Sequence, residues 1–97
     1  MTRDEIIAKL RAHRADLEAM HVTSVALFGS AARNEAGPES DVDILIEHER
    51  GLTLFDLGRI QNMLNAWIGQ EVDLVTGPAL HPALRHRILE EAVNAWP

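Results

Sequence analysis

Leu27-Phe28-Gly29-Ser30-Ala31-Ala32-Arg33-Asn34-Glu35-Ala36-Gly37-Pro38-Glu39-Ser40-Asp41-Val42-Asp43-Ile44-Leu45-Ile46 is the segment around which the chain is organised. It opens as the end of an apolar strand, breaks at Gly29-Ser30, and crosses a polar connection bearing Gly37 and Pro38. It then re-enters an apolar run carrying two aspartates one residue apart. Side chains alternate along a strand, so Asp41 and Asp43 share one face while Val42 and Ile44 share the other. Two carboxylates on one face repel unless positive charge lies between them, and a divalent cation supplies it. The Gly29-Ser30 turn, ahead of a short helical segment, brings backbone N–H groups and a hydroxyl suited to phosphate oxygens. Phosphate plus metal reads as a nucleotide-handling site.

Val22 to Phe28 is the first strand, Ser30 to Asn34 one or two helical turns, and Asp41 to Glu47 the second strand. Upstream, Thr2 and Glu5 make a capping box, and Ile6, Ile7, Leu10, Leu17 and Met20 recur at helical intervals, predicting one helix over 3–19. Downstream, Thr53 caps a second long helix, with Asp56 three residues on favouring its dipole; the helix face is Leu57, Ile60, Leu64, Trp67 and Ile68, with Gly69 as its stop. Glu71 to Val75 reads as a third strand, with Asp73 opposite Val72 and Leu74. Pro82 opens a last helix to about Ala92, with Leu84, Ile88, Leu89 and Val93 expected to face inward. Trp96 is expected to pack back on the sheet. The fold expected is α/β (α+β): a small mixed sheet of about three strands with helices packed on it.

A length of 97 residues with 46% apolar content suits a single domain over 1–97. Nine basic against fifteen acidic residues leave a net charge of −6, which disfavours direct nucleic-acid binding through phosphate neutralisation. With no cysteine, disulfides, thiolate zinc sites and thiol catalysis are excluded together. No apolar run approaches the roughly 18 residues of a membrane span, and the expected location is cytoplasmic.

Asp41, Asp43 and Asp73 each lie in a strand-like run between apolar neighbours, and would share one face of the sheet if their strands adjoin. Three clustered carboxylates can hold two divalent ions roughly 3.5–4 Å apart, clamping the oxygens of an in-line phosphoryl displacement. Oxygen-only ligands favour Mg²⁺ or Mn²⁺ over zinc. The plainer alternative for Asp41 and Asp43 is the solvated side of an amphipathic strand.

In combination, Gly29-Ser30-x-Ala32-Arg33 followed by Ser40-Asp41-x-Asp43 resembles the signature of the DNA polymerase β-type nucleotidyltransferase superfamily. The small size and the later Val72-Asp73-Leu74-Val75 resemble its minimal (MNT) branch, whose members are often antitoxins paired with HEPN-domain toxins. The resemblance implies that Gly29 and Ser30, with Ser40 and Arg33 nearby, bind the phosphates of ATP. It implies that Asp41, Asp43 and Asp73 form the catalytic and metal site for two Mg²⁺ ions. It further implies transfer of AMP to a protein hydroxyl, a tyrosine of a cognate HEPN toxin, in a hetero-oligomer with that toxin. One departure is Asn34, where many relatives carry glycine; asparagine tolerates left-handed backbone angles better than most residues. Two other readings stay open: an antitoxin that neutralises by contact with weak or absent catalysis, and a free-standing transferase acting on a small molecule.

Overall fold

The computed structural model describes residues 2–35, 37, 41–49, 51–77 and 81–96. Its elements in chain order are α1 (Arg3–Ala12), α2 (Arg14–Ala19), β1 (Val22–Leu27), α3 (Gly29–Ala32), β2 (Val42–His48), α4 (Leu54–Ile68), β3 (Val72–Thr76), α5 (Pro82–Glu91) and β4 (Val93–Asn94).

Both capping boxes form. The Thr2 hydroxyl accepts from the Glu5 N–H while the Glu5 carboxylate accepts from the Thr2 N–H, and Thr53 and Asp56 repeat the exchange at α4. Gly69 ends α4 in the left-handed region at φ 76°, its N–H bonding the Asn65 carbonyl. The single helix expected over 3–19 is instead broken at His13, whose φ of −109° and ψ of 17° separate α1 from α2. A tertiary contact accompanies the break: the His13 ring stacks on Trp67 at 4.0 Å between centroids, and its Nδ1 lies 3.3 Å from Asp16. Leu10 and Leu17 both stay fully buried on either side, so the apolar periodicity survives the kink.

Among the described residues the sheet has four strands in the order β3-β2-β1-β4, one more than expected. β1 runs antiparallel to β2, the outcome allowed by a connection too short for a crossover helix. β2 and β3 are parallel, with α4 as their crossover, and pair Val42 with Val72, Asp43 with Asp73 and Ile44 with Leu74. The added strand begins at Val93, which does not belong to the last helix. Ala92 turns extended at φ −64° and ψ 139°, and Val93 and Asn94 then pair with Leu27 and Ala26 on the open edge of β1.

Register and alternation sort the side chains. Val25, Leu27, Val42, Ile44, Ile46 and Val72 face one way and join Ile6, Leu10, Leu17, Ile60, Leu64 and Ile68 in the core. Asp43, Leu45, Glu47 and Asp73 face the other way. α5 lies on that second side through polar contacts, with Arg85 3.2 Å from Glu47. Leu84 and Leu89, expected to face inward, are about half exposed at 49% and 48%, because α5 is attached by charge pairs and buries no residue of its own.

Trp96 does pack back. It is buried at 2% exposure, the adjacent Ala95 N–H donates to the Val25 carbonyl at 2.8 Å, and the Arg14 guanidinium sits 5.3 Å from the ring centroid. Burial of so large a ring beside β1 contributes heavily to a domain this small. Trp96→Ala is expected to cost about 3–5 kcal/mol, read as a lower urea midpoint; a midpoint within error of the parent would contradict this packing.

Candidate active site

β1 delivers the chain to Phe28, whose N–H bonds the Asp43 carbonyl at 3.1 Å, and α3 starts there. Phe28 is the extended N-cap residue and makes no side-chain cap to the first turn of α3. Gly29 sits at φ 61°, and a Cβ at this position would collide with the Asp43 carboxylate. Two independent constraints therefore require glycine: a left-handed backbone and the close approach of an acidic side chain. Ser30 follows in the first turn of α3, and its carbonyl accepts the Glu35 N–H at 2.8 Å, which closes the loop beneath it.

The loop beyond α3 is tied to the start of α1. Asn34 adopts φ 60°, so asparagine does occupy the left-handed position. Its Oδ1 accepts the Arg3 N–H at 2.9 Å, and the Arg3 guanidinium donates to the Ala32 carbonyl at 3.1 Å. Arg3 was not legible as a site-supporting residue from the sequence; nothing local connects it to a loop about thirty residues away.

Asp43 and Asp73 are direct partners across the parallel β2–β3 pair and so project from the same face. Asp43 is half-buried, whereas Asp41 and Asp73 are exposed. Burial is the main reason that the Asp43 carboxyl titrates above its ordinary value; the Asp73 charge, a hydrogen bond with Asp73 and the Asp41 charge push it further up, and Arg33 opposes them. Asp41, just ahead of β2, thus acts on Asp43 through its field, while Asp43 and Asp73 form the close pair. Among the described residues no three acidic or histidine groups already converge as a metal-holding cluster. The donor chemistry nevertheless suits a hard divalent cation: two facing carboxylates, the added field of Asp41, and a glycine cradle pressed against one of the pair.

Arg33 caps the end of α3. Its guanidinium lies 3.1 Å from Glu35 and 3.5 Å from Glu91 on α5, and its pKa is raised, first by the Glu35 hydrogen bond and then by Glu35, Glu91 and Asp43 charges. Glu91 is a second residue that sequence reading missed, since it meets the loop only through tertiary packing. Ser40, the remaining expected phosphate residue, lies outside the described residues.

A family profile described as nucleotidyltransferase domain matches residues 7–94. The chain belongs to this family, and its fold is that of a minimal nucleotidyltransferase. A Methanocaldococcus jannaschii protein, provisionally named a protein adenylyltransferase, is 47% identical over 73 residues, covering 75% of this chain and 78% of its own. Protein adenylyltransferase MntA of Thermococcus cleftensis is 36% identical over 94 residues, covering 96% and 95%. A solved structure provisionally described as a minimal nucleotidyltransferase superposes with a TM-score of 0.86 at 35% identity, over 96% of this chain and 95% of that one. The MNT antitoxin complex with the tri-AMPylated HEPN toxin of Shewanella oneidensis shares the fold alone, with a TM-score of 0.61 at 16% identity over 89% and 71%.

The raised Asp43 pKa has a thermodynamic sign. A carboxyl that titrates higher in the fold than in the unfolded chain disfavours the folded state once ionised. That penalty is absent in acid, grows as pH rises from the unfolded carboxylate range through the raised folded value, and is complete at neutral pH. Asp43→Asn is therefore expected to raise the melting temperature at neutral pH without divalent ions, to lose that advantage in acid, and to reduce nucleotidyl transfer to background. Unchanged or lower stability at neutral pH, or full transfer activity, would contradict the site.

Proposed function

We propose that this chain transfers AMP from ATP to a tyrosine hydroxyl of a cognate HEPN-family toxin and thereby acts as its antitoxin. The observation that carries this reading is the in-register pairing of Asp43 with Asp73 beside the Gly29-Ser30 turn. The names of its relatives as protein adenylyltransferases, and a structural neighbour's complex with an AMPylated toxin, support it.

The roles follow from position. Gly29 lets the backbone approach closely, and the N–H groups at the start of α3 with the Ser30 hydroxyl receive the β- and γ-phosphates. Asp41, Asp43 and Asp73 would hold two divalent ions, Mg²⁺ or Mn²⁺, which supply charge neutralisation and a lowered pKa for the acceptor hydroxyl. Asp73, exposed on the outer strand, faces the side from which a large acceptor arrives, and accepts the hydroxyl proton. The acceptor oxygen bonds to the α-phosphorus, the bond to the bridging oxygen breaks, and pyrophosphate leaves toward the Ser30 turn. Arg33 helps orient the phosphates, for which an incoming anion competes with Glu91.

The exposure of Asp41 and Asp73 also suits a macromolecular acceptor better than a small one, which binds in an enclosing pocket. Incubating the chain with a candidate HEPN-family partner, ATP and Mg²⁺ is expected to raise the partner's mass by whole AMP units on tyrosine and to silence its ribonuclease activity. An unshifted toxin mass, together with full neutralisation by complex formation, would replace transfer with inhibition by contact.

A further inference from the structure

β3 is an outer strand, bonded to β2 on one side only, and it carries Asp73. The far side of such a strand normally offers unpaired N–H and C=O groups. At Val72, the residue immediately before Asp73, α4 claims both. The Val72 N–H donates to Asn65 Oδ1 at 2.8 Å, and Gln61 Nε2 donates to the Val72 carbonyl. Gln61 Nε2 also reaches Asn65 Oδ1 at 3.1 Å, so the two amides, one helical turn apart, brace each other. Together they present the donor and acceptor that a neighbouring strand would have supplied.

This grip is local. Beyond Val72, α4 and β3 separate into an open groove of about 390 Å³ lined by Leu57, Gly58, Gln61, Leu74, Val75 and Thr76. The amide pair therefore secures the end of the outer strand that bears the carboxylate. That end also needs securing, because Asp73 faces the like charge of Asp43 across the strand pair. Repulsion between the two would favour peeling or sliding of an outer strand held from one side.

We propose that Gln61 and Asn65 are positioning residues for Asp73, fixing the outer strand so that its carboxylate stays opposite Asp43. The inference rests on the transfer site described above. The hydrogen bonds are partly buried, where replacing a donor with an acceptor is costly.

Two nearly isosteric variants separate hydrogen bonding from packing and from charge. Gln61→Glu sets an acceptor against the Val72 carbonyl, whereas Asn65→Asp keeps both acceptor roles; each adds one negative charge. Gln61→Glu is expected to speed hydrogen exchange of the Val72 amide, to lower kcat for AMP transfer about tenfold and to leave KM for ATP unchanged. Asn65→Asp is expected to stay close to the parent in all three. Should Gln61→Glu fail to fold, Gln61→Met, which removes the donor without repulsion, is judged on the same readouts. Parental kcat in the Gln61 variant, an equal loss in both variants, or a KM for ATP rising as kcat falls would overturn the proposal. A parent chain that transfers no AMP would count against the transfer site itself; unchanged Val72 exchange in the Gln61 variant would then overturn the clamp on its own.

Discussion

The structure depends on one pairing: β2 against β3, parallel and in register, with Asp43 directly opposite Asp73. A shift of one residue would send Asp73 into the apolar side and bring Val72 or Leu74 out, because strand side chains alternate with a period of two. Burial of Val72 on the core side therefore fixes where Asp73 points. The same hydrophobic burial that stabilises the sheet forces two carboxylates together, and their repulsion is the local cost of a site able to attract cations. Parallel pairing needs a crossover, and α4 provides it with fully buried Ile60 and Leu64 on its inner side.

Around that pair the chain is held by contacts distant in sequence. The Arg3 backbone and guanidinium fasten the loop after α3, Glu91 reaches Arg33 from α5, and Phe28 bonds the Asp43 carbonyl. The first and last helices thus both act on the twenty residues between Leu27 and Ile46. The two do so differently: α1 buries Ile6 and Leu10 in the core while bracing the loop, whereas α5 buries no residue and reaches it by charge. Asn34 illustrates the coupling, since its left-handed backbone and its side-chain bond to Arg3 serve the same turn.

Much of this was legible from local chemistry. Thr2 with Glu5, Thr53 with Asp56, and Gly69 declare helix ends through backbone groups within a few residues, and all three behave as read. Val42-Asp43-Ile44 and Val72-Asp73-Leu74 declare which side chains share a face, through strand alternation alone; Asp41, expected on the same strand face as Asp43, instead falls just ahead of β2 and reaches Asp43 through its field. The failures share a different cause. The break at His13 accompanies stacking on Trp67, more than fifty residues away, and no periodicity within the helix announces it. Val93 leaves the last helix for a β1 edge whose openness is a property of the assembled sheet. Leu84 and Leu89 carry helical spacing, yet α5 is secured by Arg85 and Glu91, so their apolar character has no matching surface here. In the site, Gly29 was readable as a turn, but its contact with Asp43 required the two strands to be brought together.

The most direct test of the central claim is calorimetric titration of a non-hydrolysable ATP analogue into the chain, with and without Mg²⁺, for the parent and for Asp43→Asn. Saturable binding by the parent that requires Mg²⁺ and is lost in the variant is the expected result. Binding of equal strength with and without Mg²⁺, or retained in full by the variant, would contradict the assignment of these carboxylates to a metal-dependent nucleotide site.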